Sequence, residues 1–369
     1  MKRRHLFGAA AALLAAFSLA GCNDEKKVES SAEPQAAASE APKTYQWKMV
    51  TAWPKNYPGL GTAAQRLADR VSAMSDGRLT IKVYAAGELV PALEVFDAVS
   101  RGTAEVGHGA AYYWKGKVPT AQFFTSIPFG LSTSEMNAWL SHGGGQAFWD
   151  EAYAPYGVKP MVVGNTGMQM GGWFNKEINT LQDLRGLKIR TPGLGGEVLS
   201  RLGATPVNMP GGEVFTALQT GAIDATDWVS PYNDLAFGLH KAAKYYYYPG
   251  WQEPTAVLEL LLNQKALDTL PADLRAILTE ATLAANSDMM DDYVYNNALA
   301  LGELKNQGTQ LKRFPDEVLA AMREQSEVVL ADLAAQSELN GRIWASMKAF
   351  QDQVEPMHEI SEKELYNWR

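Results

Sequence analysis

Arg190 has the neighbours of a residue that could do chemistry. It lies in Gly186-Leu187-Lys188-Ile189-Arg190-Thr191-Pro192-Gly193, where Leu187, Ile189 and Thr191 alternate with Lys188 and Arg190 and Pro192-Gly193 ends the run. That is the period-2 pattern of a strand with its stop signal, so Arg190 sits at a strand mouth. A guanidinium there offers a planar fork of donors to a carboxylate, a charge-assisted contact of roughly 1.5 to 3 kcal/mol. The same residue serves equally well as half of a structural salt bridge to Asp or Glu.

Two acids invite the same question. Asp227 closes an apparent strand in Ala225-Thr226-Asp227-Trp228, and Glu253 follows another in Pro249-Gly250-Trp251-Gln252-Glu253-Pro254. Gln169 stands among glycines in Asn165-Thr166-Gly167-Met168-Gln169-Met170-Gly171-Gly172; glycine lets backbone approach a ligand closely, and the amide supplies both a donor and an acceptor. If Asp227, Glu253 and a substrate carboxylate converge, three negative charges meet the single Arg190 in a low-dielectric cleft, and a cation is required. The ligands on offer are oxygens, which suits a hard ion such as sodium, calcium or magnesium and not zinc or copper. Otherwise both acids cap or pair locally.

The elements that would position these groups form two series. Tyr45 to Trp53 reads as a strand, Ala64, Leu67, Val71 and Met74 as a helix face, Leu79 to Tyr84 as a strand, and a helix from about Pro91 leads to a strand at Glu105 to Ala111. Tyr112, Tyr113 and Trp114 end that strand; strand ends are where ligands are met in open α/β sheets, although aromatic clusters also simply pack. Val158 to Gly164 reads as a strand crossing toward the second series. That series has a strand through Arg190, a helix from about Glu197, a strand at Thr205 to Asn208, a helix from about Glu213, the strand ending at Asp227, and the run Tyr245 to Tyr248. Strands alternating with helices predict parallel sheets with crossover helices.

The run from Leu181 to Val229 resembles the extracytoplasmic solute-binding proteins of tripartite ATP-independent periplasmic (TRAP) transporters. The resemblance implies an α/β, two-lobed periplasmic binding fold with a ligand cleft between the lobes and a long spanning helix. In that family the arginine matching Arg190 holds the substrate carboxylate. In the subgroup that binds 2-oxo acids, the glutamine matching Gln169 touches substrate and metal, and the metal set maps onto Gln169, Asp227, the Trp228 carbonyl and Glu253. Family members often carry glutamate where this chain has Asp227. The resemblance also supports a tyrosine at Tyr112 or Tyr113 on the facing wall. The ligand implied is a 2-oxo monocarboxylate such as pyruvate, bound with sodium or calcium; lactate or another hydroxy acid is the alternative. The small and large membrane subunits of the transporter are the implied partners.

At 369 residues the chain exceeds one compact core. The expected division is lobe I at 45–163 with return segments after about 255, lobe II at 164–254, a spine helix at 271–306 and a helical tail at 337–369. In the tail, Ile343, Trp344, Met347, Phe350 and Val354 recur at helical spacing; they pack on the chain's own body or offer a homodimer stripe. A net charge of −8 and the lack of a basic stripe argue against nucleic acid as a partner. Lys2, Arg3 and Arg4 followed by an apolar run to Ala20 read as a signal peptide over 1–21. Leu19-Ala20-Gly21-Cys22 resembles a lipobox, which would make Cys22, the only cysteine, an acylated anchor, with 22–44 as a flexible tether. The chain would then be periplasmic and membrane-anchored. An exported enzyme is the rival reading, since Arg and paired acids also serve acid–base chemistry. The chain has no G-x-S-x-G and no H-E-x-x-H, and none of His108, His142, His240 and His358 falls in the site motifs. Gly143-Gly144-Gly145 lacks phosphate-loop spacing and reads as a helix entry.

Overall fold

The computed structural model describes residues 43–369. The signal segment 1–21, Cys22 and the tether up to residue 42 lie outside the described residues.

The first sheet has the order β2-β1-β3-β10-β4. Its strands are β1 (Tyr45–Thr51), β2 (Leu79–Tyr84), β3 (Val106–Gly109), β4 (Val158–Asn165) and, returning from much later in the chain, β10 (Val257–Asn263). The second sheet has the order β11-β9-β5-β8-β6-β7. It is built from β5 (Gly172–Phe174), β6 (Lys188–Arg190), β7 (Thr205–Val207), β8 (Ala225–Thr226), β9 (Tyr245–Tyr248) and β11 (Gln310–Arg313).

Neither sheet is purely parallel, which corrects the sequence expectation. β10 runs antiparallel to both β3 and β4, and β5 runs antiparallel to β8 and β9. Both strands arrive through extended connections and not through crossover helices, so nothing forces them parallel. β10 is buried along Val257–Leu262, as expected of an apolar strand covered on both faces.

The helices in chain order are α1 (Leu60–Met74), α2 (Val95–Ser100), α3 (Thr133–Ser141), α4 (Gly145–Tyr153), α5 (Gly193–Arg201), α6 (Gly211–Thr220), α7 (Pro231–Phe237), α8 (Gln264–Thr269), α9 (Ala272–Asn306), α10 (Asp316–Ala335), α11 (Glu338–Ile360) and α12 (Glu362–Tyr366). In α1, Leu60, Ala63, Ala64, Leu67, Ala68 and Val71 share the buried stripe expected of 3.6-residue periodicity. α9 has 35 residues, about 50 Å at 1.5 Å per residue. It packs on β4 and α1 of the first sheet's layer and on α7 of the second's, spanning both.

Two boundaries differ from expectation. Tyr112 and Tyr113 do not end a strand: β3 stops at Gly109, and both tyrosines lie in a one-turn 3-10 helix, Ala111–Trp114. α5 begins at Gly193, not near Glu197. Its glycines read locally as breakers, but they answer to packing: Gly193 has φ 62° with the Tyr112 ring against it, and a Cβ at Gly195 would lie 2.8 Å from Cβ of Gln252. Of the tail's apolar stripe, Ile343 and Met347 are buried, and Trp344 and Phe350 pack against the chain's own core. No helix among the described residues is long and apolar enough to cross a membrane.

Candidate functional site

β6 is only three residues long, and its pairing sets the site. Arg190 stands opposite Thr226 of β8, so the next residue, Asp227, falls beside it, and the Asp227 amide donates to the Arg190 carbonyl at 3.0 Å. The Arg190 side chain is 1% exposed. Its Nη1 donates to the Oδ1 and to the carbonyl oxygen of Asp227, each at 3.1 Å. The other Asp227 oxygen, Oδ2, accepts from the Thr191 hydroxyl at 2.6 Å. The Trp228 ring lies 5.0 Å from the guanidinium carbon, a cation–π contact. Nε and Nη2 of Arg190 are shut off from water and meet no acceptor in good hydrogen-bond geometry among the described residues, while the Tyr113 hydroxyl lies close enough to the guanidinium to favour its charge. The salt-bridge alternative is therefore realised at one corner of the guanidinium, and no carboxylate reaches its side-on edge among the described residues.

Gln169 and Glu253 come from the two extended segments that join the sheets, Thr166–Gly171 between β4 and β5 and Pro249–Ala256 between β9 and β10. These segments run side by side. The Thr166 amide donates to the Ala256 carbonyl (3.1 Å), the Gln169 amide to the Glu253 carbonyl (3.1 Å), and Nε2 of Gln252 to the Met170 carbonyl (2.8 Å). The Gln169 Oε1 is buried without a partner. Glu253 is 4% exposed, and its Oε2 accepts from the Tyr112 hydroxyl at a long 3.4 Å. Tyr113 stands edge-on to Tyr112, ring centres 5.0 Å apart.

Burial dominates the electrostatics. It pushes the Glu253 carboxyl well above the ordinary range; the Asp227 charge adds to this, and Arg190 and Tyr112 oppose it. Asp227 is also raised by burial, against the pull of Arg190 and Thr191. Burial and the Glu253 charge keep the Tyr112 phenol protonated, so it is a donor. One cationic side chain among two buried acids leaves a negative excess whenever both ionise, before any anionic ligand arrives.

The residues present fit a hard cation. The available donors are Gln169 Oε1, which lacks a partner, the weakly engaged Glu253 carboxylate, one remaining lone pair on each Asp227 oxygen, and backbone carbonyls such as that of Trp228. All are oxygens, the chemistry of sodium and calcium. Among the described residues there is no cluster of three or more His, Cys, Asp and Glu, which accords with a set of two carboxylates completed by neutral oxygens. A small cavity beside this cluster is lined by Tyr112, Tyr113, Thr166, Gln169 and Trp228 together with Trp53, Leu60, Val229, Ala256 and Leu258. Sequence reasoning missed Thr191 and Trp53. Thr191 directly follows Arg190, and Trp53 follows β1, so the strand-end rule that singled out Tyr112 would have flagged it too.

Residues 49–337 match the family described as bacterial extracellular solute-binding protein, family 7. The chain is 42% identical, over all of its own length and 99% of the relative's, to the monocarboxylate 2-oxoacid-binding periplasmic protein of Nostoc sp. (strain PCC 7120). Three solved structures share the fold. A TRAP periplasmic solute-binding protein from Pseudoalteromonas atlantica, with bound sodium and pyruvate, is 44% identical with a TM-score of 0.86, covering 88% of this chain and 99% of that one. One from Colwellia psychrerythraea, with bound calcium and pyruvate, is 42% identical with a TM-score of 0.87, covering 89% and 100%. One from Bordetella bronchiseptica, a mixed-occupancy dimer with calcium and picolinate, is 37% identical with a TM-score of 0.87, covering 88% and 97%. The family is one of extracellular receptors and not an enzyme class, and the chain belongs to it: it is a family 7 solute-binding protein of the TRAP type.

Proposed function

We propose that this receptor captures a small 2-oxo monocarboxylate of the pyruvate type together with a sodium or calcium ion, and that it releases the acid chemically unchanged to the small and large membrane subunits of a TRAP transporter. The observation that carries this reading is the buried Nε–Nη2 edge of Arg190, which no carboxylate among the described residues engages and which has only the Tyr113 hydroxyl near it. Buried donors without acceptors are costly, and a carboxylate accepting side-on from that edge satisfies both. In this reading Gln169, Asp227, the Trp228 carbonyl and Glu253 hold the cation, Gln169 also touches the ligand, and Tyr112 and Tyr113 form the facing wall. The residues lining the cavity include no Lys, Arg or His to hold a second carboxylate, which favours a monocarboxylate over a dicarboxylate. The names of the Nostoc relative and of the pyruvate-bound structures agree with that choice. A hydroxy acid such as lactate differs at one oxygen and belongs in the same test.

We divide the chain into lobe I (45–163 with the return after about 255), lobe II (164–254), the spine (271–306) and the tail (337–369). Lobe I closes on lobe II about the two extended connections. Past Pro356 the tail exposes Met357, Ile360, Leu365, Tyr366 and Trp368, a stripe suited to a second copy of the chain, and Cys22 is the anchor that keeps the receptor at a membrane surface. Sedimentation of the full chain against a chain ending at Pro356 checks the dimer, and mass spectrometry of the mature N-terminus checks acylation of Cys22.

The central test is titration calorimetry with pyruvate and lactate in sodium, in calcium and after cation removal. Pyruvate should bind more tightly than lactate, bind more weakly without the cation, and give no measurable heat with Arg190→Ala. Retained pyruvate affinity in that variant would remove the basis of the assignment.

A further inference from the structure

Trp53, Leu60, Ala256 and Leu258 line the cavity beside Gln169 and Tyr112, and no role assigned above uses them. We infer that Trp53, held in place by His108, is the residue that sets how long a tail the 2-oxo acid can carry. This rests on the carboxylate reading of Arg190 and adds the limit on substrate size.

Trp53 follows β1 and lines the same cavity as Leu60, Ala256, Leu258, Tyr112 and Gln169. Its backbone is fixed on two sides: the Ala52 amide donates to the His108 carbonyl at 3.0 Å, and the Ala86 amide donates to the Trp53 carbonyl at 2.9 Å. Its side chain is fixed as well. The indole Nε1 donates to Nδ1 of His108 at 2.6 Å, and the ring leans on Tyr113 with centres 5.9 Å apart. Trp53 and His108 are both buried. An Nδ1 that accepts must belong to a neutral imidazole, and burial pushes His108 down to about 4, so the acceptor persists at neutral pH. A large ring with backbone and both ends tied cannot swing aside for a longer ligand, because close-packed interiors give way by rearrangement and not by gradual yielding. The indole touches Tyr113, which neighbours the Arg190 guanidinium, so with the carboxylate on Arg190, as proposed, the ligand's tail is set against this wall, where each added methylene meets the indole. His108 acts through Trp53 and is a positioning residue.

The experiment is calorimetry in sodium-containing buffer with pyruvate, 2-oxobutyrate, 2-oxovalerate and phenylpyruvate. It is run on the wild type and on Trp53→Leu, Trp53→Phe, His108→Leu and His108→Asn, each checked for folding by circular dichroism. The readout is the ratio of the 2-oxovalerate Kd to the pyruvate Kd. In the wild type it exceeds one. In Trp53→Leu it falls at least about tenfold, the scale on which an apolar pocket discriminates one or two methylenes. In Trp53→Phe it falls about threefold. It falls several-fold in His108→Leu, which keeps the indole but removes its acceptor, and returns to near the wild-type value in His108→Asn, whose amide oxygen replaces Nδ1. An unchanged ratio in the folded Trp53 variants overturns the wall, as does a wild type that binds 2-oxovalerate as tightly as pyruvate. Should Trp53→Leu fail to fold, the Trp53→Phe ratio decides. If the wild type binds none of the four acids, the carboxylate reading falls and takes the wall with it; if it binds pyruvate normally, only the wall is at stake.

Discussion

The guanidinium of Arg190 is buried with Nε and Nη2 free of any carboxylate and only the Tyr113 hydroxyl near them, a state that costs free energy relative to one completed by an anion. Asp227 occupies the Nη1 corner and Thr191 ties down the other Asp227 oxygen, so the open edge has a fixed orientation. A lysine would restore the charge but not the fork. Arg190→Lys is expected to weaken pyruvate binding by about 100-fold, close to 3 kcal/mol for two aligned charge-assisted bonds exchanged for one flexible contact. A loss below threefold by calorimetry would place the carboxylate elsewhere. Glu253→Gln removes one of the two acids and keeps an oxygen for the Tyr112 hydroxyl. The variant should bind pyruvate more weakly in sodium or calcium and lose most of the wild type's further weakening on cation removal. A full wild-type cation effect would take Glu253 out of the ion's shell. In the sequence, Arg190, Asp227 and Glu253 stood out because each closes or follows an apparent strand, and Gln169 because it stands among glycines; their roles in binding are those proposed above. The Arg190–Asp227 pair was not legible, because its partners are 37 residues apart and meet only through the β6–β8 register.

β10 carries a carboxyl that its apolar sequence hides. Glu259 is fully buried among Leu258, Leu260 and Leu261, and its Oε2 accepts from the Tyr153 hydroxyl at 3.0 Å, which in turn accepts from Nε1 of Trp114 at 3.1 Å. Trp114 closes the 3-10 turn that holds Tyr112 and Tyr113, so β10 and α4 support the lobe I wall of the site. Burial pushes the Glu259 carboxyl up to about 8, with Tyr153 opposing. An acid raised in the folded state gives its full stabilisation below the unfolded pKa of about 4.5 and loses it as pH rises toward 8, because the unfolded chain then releases a proton that the folded chain keeps. Glu259 should therefore lower stability by about 1.4 kcal/mol for each pH unit within that window. Urea unfolding at a series of pH values should show a shallower decline in Glu259→Gln than in the wild type; parallel slopes would mean that the carboxyl is ionised in the fold. The element pattern was readable where one periodicity runs long, as in α1 and α9. It failed at α5, where glycines needed for contact with Tyr112 and Gln252 look like breakers, and at Tyr112–Trp114, where a single helical turn leaves no period to count.

Across the whole molecule, a buried hydrogen-bond network ties the two halves together at the Trp228 end of the site. The Tyr57 hydroxyl, just before α1, donates to the Asn233 carbonyl of α7 at 2.7 Å and accepts from Nε1 of Trp228 at 2.8 Å. Asn233 returns a bond from Nδ2 to the Pro58 carbonyl at 2.7 Å, and its Oδ1 accepts from the Tyr293 hydroxyl of the spine helix at 2.6 Å. First-sheet layer, second-sheet layer and spine thus meet at one residue pair, and Trp228, which stacks on Arg190, is part of it. If the lobes part when no ligand is bound, the Tyr57 bonds exist only in the closed form, and they belong to the free energy of closure that ligand binding draws on. Tyr57→Phe keeps the ring's packing on Phe237, 4.2 Å between centres, and leaves Nε1 of Trp228 and the Asn233 carbonyl without their shared partner. That loss costs roughly 1 to 3 kcal/mol, so pyruvate affinity should fall by about 5- to 100-fold. The melting temperature of the ligand-free protein should barely move, and small-angle scattering with ligand should show a smaller shift toward the compact form than in the wild type. A variant that loses thermal stability without ligand, in proportion to its lost affinity, would make the network ordinary core packing and leave closure to the extended connections alone.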